Sequence, residues 1–154
     1  MGYYVAVNLS FSANNSEECL KALKKAAEDT LKEIGEEYRY TGYMCEAVAE
    51  DPNRYVHGGN KGDMFVWSGV WNYYSFESEE EGLKKFLLNC WKPSLEGGQN
   101  EIMFDFDKAL LLVNPEHSER TFMYEFRLKE SGENKYLPEV LVRTHETELN
   151  WNQY

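Results

Sequence analysis

The chain predicts an α+β fold, a two-layer sandwich with the element order β-α-β-β-α-β (the ferredoxin-like order) followed by a C-terminal antiparallel meander. Three observations carry this. Residues 3–11 alternate with period two, as a strand does when one face is buried. Residues 17–34 and 79–91 carry apolar stripes at helical spacing. From Thr121 onward, period-two segments return between turn clusters. Helices that interrupt a sheet ending in hairpins pack as a second layer on it. That order serves many activities, so it brings no chemistry with it.

Each element has a local reason. Tyr3, Val5, Val7, Leu9 and Phe11 share one face of the first strand, and Tyr4, Ala6, Asn8 and Ser10 the other. Ser12, Ala13, Asn14, Asn15 and Ser16 supply turn and N-cap chemistry for a helix from Glu17 to Ile34, which Gly35 stops. Tyr38 to Ala49 reads as a second strand, and Asp51 to Asp63 as a loop rich in Pro and Gly. Met64 to Tyr74 is dense in β-formers and reads as a third strand. Ser78 and Glu81 form a capping box for a helix that presents Leu83, Phe86, Leu87, Cys90 and Trp91 on one side and ends at Pro93. A strand near Ile102–Phe106 follows, with Leu110–Val113 as its continuation or the next strand. Thr121–Leu128 and Glu139–Thr144 close the meander, and residues 146–154 form a polar tail.

The chain has 154 residues, a length that suits a single domain spanning 1–154. Sixteen Lys and Arg stand against 27 Asp and Glu, for a net charge of −11. Such a surface is wrong for a nucleic-acid backbone or an anionic membrane. There is no secretory n-region or h-region, and the longest apolar run, Ala109–Val113, is far short of the ~20 residues that span a bilayer. Cys19, Cys45 and Cys90 are three widely spaced thiols without a CxxC pair, as expected of reduced, buried cysteines. The expected compartment is the cytoplasm.

Signatures of catalysis are sparse. His145-Glu146-Thr147 matches half of a two-histidine phosphoesterase pattern, and neither His57 nor His117 supplies the other half. No HExxH, paired Cys/His zinc spacing, EF-hand loop, P-loop or nucleophile elbow occurs, so no cofactor or metal is implied. The acidic clusters at residues 17–18, 28–29, 36–37 and 79–81 lie on helices beside lysines. They read as solvated faces with i,i+4 pairs, or as a negative surface that steers a basic partner.

The third strand is the informative one. One side reads Met64, Val66, Ser68, Val70, and the other Phe65, Trp67, Gly69, Trp71, Tyr73. If the aliphatic set packs under the helices, the aromatic set lies on the open sheet face beside Tyr4, Asn8 and Asp105. An uncovered aromatic row marks a binding surface. Three readings follow. The first is a non-enzymatic binding or inhibitory domain that recognises a basic protein through acidic helices and exposed aromatics. The second is a small-molecule enzyme or sensor with a cleft between that face and the loop 55–63. There Trp67, Trp71 and Tyr73 stack on a ligand, Asn8 or Asp105 orients it, and Tyr55 and His57 close over it. The third is a module that forms a homodimer through the open face.

Overall fold

The computed structural model describes residues 4–58, 62–72, 76–96, 104–115, 120–129 and 139–148. Strand β1 (Tyr4–Ala13) buries Val5, Val7, Leu9, Phe11 and Ala13 and turns the residues between them outward. Helix α1 (Glu17–Ile34) is capped by Ser16, whose Oγ accepts the Cys19 N–H at 3.1 Å. Glu17 and Glu18 stand in its first turn, where the helix dipole favours anions. Its end falls at Gly35, which adopts φ 57° and donates its N–H to the Leu31 carbonyl at 3.2 Å.

The segment Tyr38–Ala49, expected as a strand, is instead helix α2 (Arg39–Glu50). Its buried residues are Thr41, Met44, Cys45 and Val48, spaced as one helical stripe. Its start has no local signal, because Tyr38 at the N-cap makes no side-chain capping bond. A single 3-10 turn (Pro52–Tyr55) and the two-residue strand β2 (Val56–His57) occupy what composition marks as plain loop. Strand β3 (Met64–Asn72) follows, and Tyr73 lies outside the described residues.

Helix α3 (Phe76–Glu96) starts two residues before Ser78 and runs beyond Pro93. Phe76 explains the early start: it is buried and stacks on Tyr124 with centroids 3.6 Å apart. Pro93 falls in the last turn, and the helix ends at Glu96. Strand β4 (Phe104–Pro115) joins the two segments left open by the sequence, with a register shift opposite Phe11 and Ala13. Strands β5 (Arg120–Lys129) and β6 (Glu139–Glu148) complete the meander, and the tail beyond Glu148 lies outside the described residues.

The six strands form one sheet in the order β2-β3-β1-β4-β5-β6, antiparallel throughout. The α+β class and the C-terminal meander stand. The ferredoxin-like order does not, because a helix replaces the second strand and β3 returns antiparallel beside β1. One core holds the inward residues of β1, β3, β4 and β5 together with those of all three helices. Phe11 stacks on Phe65 with centroids 4.5 Å apart, and Phe86 of α3 lies about 6 Å from both.

The cap that α2 lacks comes from α3. Glu79, 3% exposed, accepts the N–H groups of Tyr40 at 2.6 Å and Thr41 at 2.9 Å through one oxygen, Oε1. These are two of the four donors a helix start leaves without intrahelical partners. Burial pushes the Glu79 carboxyl above its ordinary range, against the downward pull of the two N–H groups. One turn further along α3, a Cβ on Gly82 would stand 2.7 Å from Cγ of Tyr38 and 2.9 Å from Oγ1 of Thr41. Only glycine lets the two helices approach this closely.

Candidate functional site: the open sheet face

The structure reverses the expected sidedness of β3. Phe65, Trp67 and Trp71 point under the helices, with Trp67 9% and Trp71 1% exposed. Met64, Ser68 and Val70 point to solvent, and Val66 beside them is half-buried. The register with β1 accounts for this: Val5, Leu9 and Phe11, all buried, pair with Trp71, Trp67 and Phe65. Helix α2 provides the roof that a two-helix reading lacks. Tyr40 stacks on Trp71 with centroids 5.3 Å apart, and the Trp67 ring lies 6.2 Å beyond. Gly69 belongs to the same arrangement. The Trp67 indole folds across it, so that a Cβ there would meet Cζ2 at 2.8 Å and Cη2 closer still.

The other expected site residues separate. Tyr4 and Asn8 do lie on the open face, where Asn8 Nδ2 donates to Ser68 Oγ at 2.7 Å. Asp105 belongs to β4, and its side chain is outside the described set. Tyr55 sits in the 3-10 turn with its ring 6.3 Å from Phe65, on the helical side of the sheet. His57 is exposed on β2, opposite Met64. Among the described residues Trp67 and Trp71 therefore line no cleft with Tyr55 and His57, since both indoles belong to the core.

What stands on the open face is different chemistry. Five large hydrophobic side chains are exposed among the described residues, and four of them, Tyr4, Met64, Val70 and Leu112, share this face. Val70 is 65% exposed. Neither β1 nor β3 contains an acid, a lysine, an arginine or a histidine, although 28% of the chain is charged. Between the apolar groups lie Asn8, Ser10, Ser12, Ser68 and Asn114. Thr121 donates to Asn114 Oδ1 at 2.7 Å. A shallow depression of about 400 Å³ is lined by Ala6, Asn8, Ser68, Gly69, Val70 and Asn114. Charge reappears on β5, with the ion pair of Glu125 and Arg127, 2.9 Å apart.

The helical side carries the charge. Glu17 pairs with Lys21 at 3.2 Å, Asp29 with Lys25 at 2.9 Å, and Lys84 lies 3.3 Å from Glu81. Such exposed pairs contribute only about 0.2–1 kcal/mol each.

The three cysteines are buried thiols. Burial raises the Cys19 and Cys90 thiols and pushes Cys45 up to about 12, so none is a thiolate at neutral pH. Among the described residues no group of three or more His, Cys, Asp or Glu could hold a metal ion, and no helix is long and apolar enough to cross a membrane.

The sequence places Met64 and Val70 with the set expected under the helices and gives Leu112 no role, so none of the three is predicted on the open face. The available signal was the absence of charge along the whole of 64–72. The fold and this face define a class: an antiparallel α+β domain roofed with helices on one side, with no described element over the other. No family model, curated protein or solved structure matches the chain.

Proposed function

We propose that this is a non-enzymatic protein-binding domain, acting in the cytoplasm, that docks a basic protein on its open sheet face. One observation supports the reading above the rest. Four of the five large hydrophobic side chains exposed among the described residues gather on one face, where the neighbouring strands β1 and β3 carry no charge. Interfaces have this anatomy, an uncharged and partly apolar centre within a polar margin. The net charge of −11 supplies the preference for a basic partner, through long-range attraction that speeds encounter.

The test is a binding measurement on a captured partner with two sets of variants. Val70→Asp combined with Leu112→Asp should weaken binding by at least about 30-fold, the scale of a lost hot spot. Lys21→Ala combined with Lys25→Ala, on the helical side, should leave it within about twofold, and rising salt should slow association. A partner that binds the face variant as tightly as the wild type overturns the reading.

A further inference from the structure

We infer that the free edge of β3, from Val66 to Val70, pairs with the same edge of a second copy and joins two sheets into one. β3 is bonded along its whole length to β1 on one side. On its other side β2 pairs only with Met64 and Phe65. At the far end the Tyr40 hydroxyl accepts the Asn72 N–H at 2.9 Å and donates to the Asn72 carbonyl. Both main-chain groups of Asn72 therefore point away from β1. Main-chain direction alternates along a strand, so the N–H and C=O of Val66, Ser68 and Val70 point the same way. No described strand meets them.

The window is self-complementary. It is closed by β2 at one end and by Tyr40 at the other, and Ser68 is its midpoint. A two-fold axis at Ser68 sets Ser68 opposite Ser68 and Val66 opposite Val70 of the other copy. Each pair exchanges two bonds, about six in all.

Charge permits this occupant, and the symmetry of the window about Ser68 favours it. Two chains of net charge −11 repel wherever their helical faces meet, but β3 contributes no charge to the contact. The opposite edge of the sheet is built the other way. β6 carries Glu139, Arg143, Glu146 and Glu148, the kind of residues that keep an edge from pairing. A charged edge and an uncharged, β-branched edge on one sheet mark the second as the one meant to be covered. The inference stands apart from the docking proposal, since it uses main-chain groups at the edge and leaves the face free.

Sedimentation of the full chain, with hydrogen exchange read residue by residue, tests it. The expected result is a dimer at high micromolar concentration. In it the amides of Val66, Ser68 and Val70 exchange at least about tenfold more slowly than in dilute samples. Ser68→Cys should form an intermolecular disulfide under mild oxidation, because paired positions lie within the Cα spacing a disulfide needs and the native thiols are buried. Ser68→Lys combined with Val70→Lys should be folded and monomeric, since it sets like charges opposite one another. A monomer at that concentration with these three amides fast overturns the inference and leaves the docking proposal standing. So does a dimer that keeps them fast and is split by Leu112→Lys, which is a face-to-face dimer.

Discussion

The two sides of β3 share a backbone and differ in everything that followed from their neighbours. The inner side holds Phe65, Trp67 and Trp71 beneath helices, and the outer side holds Met64, Ser68 and Val70 in solvent. Both sides are apolar enough to be cores. Choosing between them required knowing how much roof exists, and the roof over this strand is α2. A short apolar strand tells how much it could bury, and its partners decide which side does so.

The widest gap between the two sides is chemical access. Ser68→Cys should react with a thiol reagent at least about a thousandfold faster than Cys19, Cys45 or Cys90, whose exposure requires opening of the core. Comparable rates would mean that the helical layer is open in solution. Next comes truncation. Trp71→Ala should destabilise by about 3–5 kcal/mol in urea unfolding, because it empties a fully buried indole site. Gly69→Ala should cost about 1–3 kcal/mol, since the new methyl must displace the Trp67 ring. Combining it with Trp67→Leu should recover part of that loss, and strict additivity would break the proposed contact.

Glu79 gives a smaller effect with a pH signature. Glu79→Ala should cost about 0.5–2 kcal/mol, the range for losing a helix cap. Its carboxyl is raised in the folded state above the ordinary 4.5, so the folded protein binds this proton more tightly than the unfolded chain does. The resulting stabilisation is full below the unfolded value and lost as pH rises through the folded one. The wild type should therefore gain stability relative to Glu79→Gln as the pH falls from neutral towards 4.5. A difference that is flat in pH would remove the buried carboxylate from the account. Smallest of all is Val70→Ala, expected within about 0.5 kcal/mol because the side chain is mostly in water.

Much of the fold was legible because its signals are local. Ser16, Glu17, Glu18 and Gly35 bracket α1, and the stripe Leu83, Phe86, Leu87, Cys90, Trp91 is buried as its spacing implies. β1 and β5 show their inner faces by alternation alone. Helix α2 was illegible for the opposite reason, since its start is capped from another helix, 38 and 39 residues away along the chain. That single omission removed the roof over β3 and turned the tryptophans outward in the reading. Of the candidate site, Tyr4 and Asn8 were found by parity on β1. Met64, Val70 and Leu112 were not, because exposure is a property of neighbours and no single strand encodes it.

The Glu79 cap also orders events during synthesis. When Tyr40 and Thr41 leave the ribosome, the carboxylate that completes their helix has yet to emerge. At about 5–20 residues per second the wait is about two to eight seconds. For that interval the nascent N-terminal segment carries β1 and α1 with an unfinished second helix, and its apolar stripe is a natural target for chaperones until residue 79 arrives.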